Sequence, residues 1–157
     1  LTHALQDQTF DVVRLLDTDD SERATAIRAV IEGDATAVEQ QYVSELPDDQ
    51  AQAYDDESTG AADDAESDLE GVPDVLTTLF GLPYALGTAF VDLVDAESGG
   101  GDLARIDSVY ERMPASTAQL FTARDYFGDV PTAKVDAPKV RGETHNEDHL
   151  GAGFLFV

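Results

Sequence analysis

Two segments carry side chains suited to metal chemistry. The first is Leu1-Thr2-His3-Ala4-Leu5-Gln6-Asp7-Gln8, and the second is Ile31-Glu32-Gly33-Asp34-Ala35-Thr36. Imidazole nitrogen and carboxylate oxygen are both zinc ligands, and the two segments offer one of each in His3 and Glu32. Glu32 lies in a run from Arg23 to Tyr42 whose apolar residues Ala24, Ile27, Val30, Ile31, Ala35 and Val38 recur at near-helical spacing. It borders that stripe, and a carboxylate beside a buried face needs a partner, which a zinc ion would supply. Asp7 and Asp34 are candidates to accept the other ring N–H of a ligating histidine. Taken singly, His3 reads better as an ordinary histidine near a terminus, and Glu32 as one more acid on a solvated face. There is no cysteine, so a disulfide, a thiol nucleophile and a Cys-type zinc site are all excluded.

The wording around these residues resembles gluzincin-type zinc metallopeptidases, in particular an uncharacterised bacterial and archaeal group. There the active-site helix reads approximately H-E-[LY]-T-H-A-L-Q-D-Q, with E-G-D-A some way further on. Other segments are similar to that group. Leu82 to Val91 looks like F-P-Y-x-x-G-x-x-F-V, Val109 to Leu120 like Y-x-R-P-P-x-S-T-E-Q-[IV], and Asp148 to Gly151 like D-x-L-G. The clear departure lies between Leu46 and Pro73.

The resemblance implies that His3 is the second histidine of H-E-x-x-H and Glu32 the third zinc ligand. The first histidine and the water-activating Glu would then be the two residues before Leu1. The chain is accordingly expected to be a zincin-like catalytic-domain fragment, truncated within its motif and again at Val157, and inactive by itself. Histidines at i and i+4 share one helix face, so both reach one metal, and zinc keeps its fourth position for water. Zn2+ as cofactor and a peptide or protein as substrate are what the resemblance implies for the complete protein. Tyr84, Tyr110, Arg105 and Arg124 have the chemistry to stabilise an oxyanion. The alternative is a non-catalytic helical structural or interaction domain, including a degenerate peptidase.

The elements that must position these residues read as mainly α, in a single domain over residues 1–157. Leu1 to Gln8 is the rear of one helix. Asp17 to Asp20 is a turn, with an Asp or Ser21 capping a second helix that runs to Val43 or Leu46. Residues 47–71 are rich in Asp, Glu, Ala, Ser, Gly and Gln and read as a mobile, solvated acidic loop insertion. A short helix over Val75 to Phe80 follows. Pro83 then opens another, which ends at Gly99-Gly100-Gly101. Asp102 caps a helix bearing Leu103, Ile106, Val109, Tyr110 and Met113, and Ser116 with Gln119 forms a capping-box pattern. Lys134 to Val140 reads as a strand or extended arm, and Leu150 to Val157 as an apolar tail. His145-Asn146-Glu147-Asp148-His149 lacks the Glu that an inverted zinc motif needs at its fourth place, and its flanking glycines favour a surface loop.

Nine Lys and Arg against 33 Asp and Glu leave a formal net charge of -24, while the hydrophobic fraction is an ordinary 42%. The acids are spread through foldable segments, and lysine is confined to Lys134 and Lys139. This is the composition of a protein adapted to a high-salt environment, where charge is screened to about 3 Å at 1 M. Nucleic acid is excluded as a partner for want of a basic patch. No apolar run reads as long enough to span a membrane, so contact with one stays undecided, as does the compartment. Apolar surface uncovered by missing helices is a route to self-association.

Overall fold

A computed structural model of the chain describes residues 1–100, 103–133, 135–139, 141–143 and 148–157. It is mainly α-helical, and no strand occurs among the described residues. The helices are α1 (Thr2–Phe10), α2 (Val12–Leu15), α3 (Ser21–Ser44), α4 (Asp48–Asp68), α5 (Asp74–Ser98), α6 (Ala104–Glu111), α7 (Ala123–Phe127) and α8 (Ala152–Phe156). A 3₁₀ turn, Thr117–Leu120, lies between α6 and α7.

The core forms where α3 lies along α5. From α3 come Ala26, Ile27, Ala29, Val30 and Ile31, and from α5 Leu82, Leu86, Phe90, Val91 and Val94. Ile106, Val109 and Tyr110 of α6, with Leu120 and Tyr126, close the remaining side. Repeats of three and four residues put each set on one helical face, which is how an amphipathic helix stabilises itself. Val38, at the far end of the apolar stripe read in α3, is exposed. The two helices approach most closely at Gly33 and Gly87, where a Cβ on either residue would collide with backbone of the other helix.

Local chemistry sets the ends of these elements. Asp20 caps α3, its side chain accepting from the Arg23 amide at 3.0 Å. Thr122 caps α7, accepting from the Asp125 amide at 3.2 Å. Gly99 ends α5 in the left-handed conformation, at φ 103°, where a Cβ would be strained. Glu22 in the first turn of α3 is buried and accepts from the Thr117 amide at 2.7 Å and from the Thr117 hydroxyl, fastening the 3₁₀ turn to α3.

Four expectations need correction. Residues 47–71 do not form a loop: they fold into α4 over Asp48–Asp68. The acidic composition conceals good helix formers, with Ala51, Ala53, Ala61, Ala62 and Ala65 and no proline after Pro47. Asp48 and Asp49 lie in the first turn, where the helix dipole favours anions. The segment is nonetheless largely solvated: α4 buries no residue, and only Ala51 and Tyr54 along it are partly covered. The second correction concerns α5, which is one helix, with Pro83 inside it rather than at its start. An interior proline costs roughly 3 kcal/mol, and burial of Leu82, Leu86 and Phe90 against α3 offsets that.

The third is that α5 over Asp74–Glu97 is, by length and composition, long and apolar enough to cross a membrane, contrary to the sequence reading. Here Leu82, Leu86, Phe90, Val91 and Val94 pack into the core with α3, while Val75, Leu76 and Phe80 stay exposed. The fourth is that Ser116 and Gln119 form no capping box: Gln119 Oε1 accepts instead from the Ala115 amide at 2.8 Å. The expected arm over 134–140 is irregular in its described part. Asp102, Lys134, Val140 and His145 lie outside the described residues.

Candidate functional site

The site is assembled by four helices. α1 brings His3 and Gln6, α3 brings Glu32 and Asp34, α5 brings Tyr84 and α6 brings Tyr110. His3 and Glu32 converge, with Nε2 and Oε2 3.3 Å apart. The His3 side chain is 56% exposed and that of Glu32 16%, so the pair opens to solvent on the imidazole side. Behind it lies a buried polar network. His3 Nδ1 meets Gln6 Oε1 at 2.9 Å. Gln6 Nε2 is 3.0 Å from the Ile31 carbonyl, 2.7 Å from Asp34 Oδ2 and 3.0 Å from the Tyr110 hydroxyl, which donates to Asp34 Oδ2 at 2.8 Å. Phe10 stacks on the Tyr110 ring at 3.9 Å and closes the network from α1.

Electrostatics couple the tyrosines to these acids. The charge on Glu32 raises the Tyr84 hydroxyl above its ordinary value, with partial burial and a hydrogen bond to Glu32 adding to the effect and Arg28 opposing it. Burial, followed by the charge of Asp34, raises Tyr110 far above its ordinary range. Both phenols therefore keep their protons at neutral pH.

The sequence-based candidates separate clearly. His3 and Glu32 come together, and Tyr84 joins them. Asp34 acts on His3 through Gln6 rather than by direct contact. Asp7 is not part of the site: its carboxylate accepts from the Val13 amide at 3.2 Å, in the turn between α1 and α2. Tyr110 sits behind the site as part of the network. Arg105 and Arg124 are elsewhere, lining a shallow hollow with Glu97 and Phe127. His149 is exposed and lies with Asp20 and Asp148 in a surface group whose ligand-type atoms are within 4.8 Å of one another. Sequence reasoning passed over Gln6. The available signal was its place at i+3 from His3, on the same helix face.

Whether a zinc ion fits this donor set can be judged from the pair itself. A histidine nitrogen and a carboxylate oxygen each bonded to zinc at about 2.0–2.1 Å in tetrahedral geometry stand about 3.3–3.4 Å apart. The observed 3.3 Å agrees with that spacing, and it exceeds the usual N–H···O distance of about 2.9–3.0 Å. The backing of Nδ1 by Gln6 is the kind of support that ligating histidines receive. Comparison of the chain with protein-family models, with curated proteins and with solved structures finds no match.

Proposed function

We propose that His3 and Glu32 are two protein ligands of a zinc site, and that the chain belongs to the catalytic part of a zinc metallopeptidase. The observation that carries the reading is the convergence of an imidazole and a carboxylate, 29 residues apart in sequence (32 minus 3), to 3.3 Å on a partly open surface. A gluzincin-type site needs, besides these two ligands, a further histidine and a water-activating Glu. When bound, zinc supplies a water of lowered pKa and a Lewis acid for peptide-bond hydrolysis. This chain's residues hold and orient the ligands: Gln6 backs His3, while α3 presents Glu32 from the edge of the core. Tyr84, protonated and beside Glu32, has a hydroxyl proton to offer an oxygen that gains charge at the site. The spread of acids along the chain, including α4, which buries no residue, supports a working environment of high salt.

Titration of the 157-residue chain with zinc, in competition with a chromophoric chelator, tests this reading. His3→Ala and Glu32→Gln are each expected to weaken binding at least roughly tenfold, the low end for disturbing a metal site. Asp148→Asn, which disrupts the exposed Asp20, Asp148 and His149 group, should change little. Binding that survives His3→Ala, or is lost with Asp148→Asn, would overturn the assignment. It would favour instead a non-catalytic helical domain in which the His3–Glu32 contact merely ties α1 to α3.

A further inference from the structure

Arg105 and Arg124 have the chemistry to hold negative charge, yet the fold sends them away from the His3–Glu32 pair. Arg105, in the first turn of α6, and Arg124, in α7, line one hollow of about 260 Å³ with Glu97 of α5 and Phe127 at the end of α7. Arg124 and Phe127 are three residues apart, so the short helix turns both to the same side. The Arg105 guanidinium carbon is 5.7 Å from the centre of the Phe127 ring, which is 39% exposed. With nine basic residues against 33 acidic ones, a guanidinium has carboxylates to choose from almost anywhere on this chain. Arg112 shows the usual outcome: it pairs with Asp129 at 3.6 Å, donates to the Tyr126 carbonyl at 3.2 Å and lies over the Tyr126 ring. Arg105 and Arg124 have no carboxylate within 4.0 Å among the described residues, although Glu97 stands in the wall of the same hollow. Helix stability does not account for Arg105 either, because the first turn of a helix disfavours a cation.

We infer that this hollow binds a small organic anion, a phosphate or carboxylate group joined to an apolar part. The guanidiniums of Arg105 and Arg124 grip the oxygens, and the Phe127 ring covers the apolar part. Arginine's planar fork matches such oxygens with paired hydrogen bonds, and bonds of this charge-assisted kind are the strong ones. Two cations against the single carboxylate of Glu97 leave the wall one positive charge, which an anion neutralises. Glu97 opposes the ligand, so removing its charge strengthens binding. The site shares no residue with the His3–Glu32 pair and does not depend on zinc.

Titration of the 157-residue chain with phenyl phosphate and with phenylacetate, each beside its bare counterpart, inorganic phosphate or acetate, tests the inference. Proton–nitrogen NMR of the arginine side chains follows it, at one KCl concentration where circular dichroism shows the chain folded. One or both organic anions should move the Arg105 and Arg124 Nε–H signals and leave that of Arg112 in place, and the tighter of the two identifies the anionic group. Arg105→Gln and Arg124→Gln are each expected to weaken that binding at least about tenfold. Glu97→Gln should tighten it about two- to fivefold, a change that poor folding of a variant cannot imitate. A chelator should leave the affinity unchanged, so the result stands apart from the zinc reading. The inference is overturned if neither organic anion moves the two signals, if the bare anion binds as tightly as its organic counterpart, or if binding survives both arginine variants.

Discussion

Substituting Gly87 by alanine should part the two helices that carry the core. A Cβ there would lie 2.8 Å from the Ala29 carbonyl carbon and 2.9 Å from the Gly33 nitrogen, and closer still to the Ala29 oxygen. Carbon contacts are comfortable at about 3.5–4.0 Å, so α3 and α5 must separate by roughly 1 Å, and a gap of that size forfeits about a quarter to a half of each contact along the seam. Overpacking of this kind costs about 1–3 kcal/mol. Because the clash is with backbone, the upper end of that range applies; the helix preference for alanine over glycine returns about 1 kcal/mol of it, which leaves a net loss of about 2 kcal/mol. For a chain of this size that corresponds to a Tm lowered by roughly 4–8 °C.

Gly81, on the same helix, has nothing within 4 Å of a built Cβ. Gly81→Ala should therefore stabilise by about 0.5–1 kcal/mol. Thermal and urea unfolding of both variants, in the same salt, measures the two signs. Gly87→Ala at or above wild-type stability would refute the close-packed crossing. The site supplies a second readout, because Tyr84 lies three residues before Gly87. Moving it away from Glu32 should bring its phenol titration back toward the ordinary 10.0.

The remaining predictions concern conditions. Circular-dichroism melts in KCl should show the fold weakening as salt falls from about 3 M to 0.1 M, because the net charge of -24 loses its screening. An unchanged Tm across that range would remove the case for adaptation to salt. Stability should also fall in alkali through Tyr110. Its folded-state value is raised above 10.0, so its contribution is complete below pH 10.0, where the phenol is neutral in both states. Above that pH the unfolded chain releases the proton first, and stability drops by about 1.4 kcal/mol per pH unit until the folded value is passed. Urea melts on either side of pH 10.0 should show a shallower decline in Tyr110→Phe, and equal slopes would show that Tyr110 contributes nothing.

Local signals made much of the helical frame legible. Asp20 before an apolar stripe marked the start of α3, and Gly99 after one marked the end of α5, because a cap or a left-handed glycine acts within a few residues. The misreadings arose where local and distant effects compete. In α4, alanine-supported helix propensity prevails over a composition typical of solvated loops, without any burial to reveal it. In α5, Pro83 breaks local helix rules, and packing against α3 overrides it. Neither His3 nor Glu32 is distinctive alone, and their convergence to 3.3 Å depends on how α1 docks against α3.

What the sequence determined by itself is therefore the helical class, the limits of α3, the end of α5 and the acid-rich composition. These rest on nearest-neighbour geometry and composition. The tertiary structure decided which of Tyr84, Tyr110, Arg105 and Arg124 stands at the site, that Asp7 does not, and that Gln6 links His3 to Asp34 and Tyr110. Such contacts depend on how α1, α3, α5 and α6 dock, and docking is set by the summed packing of the core rather than by any one segment's sequence.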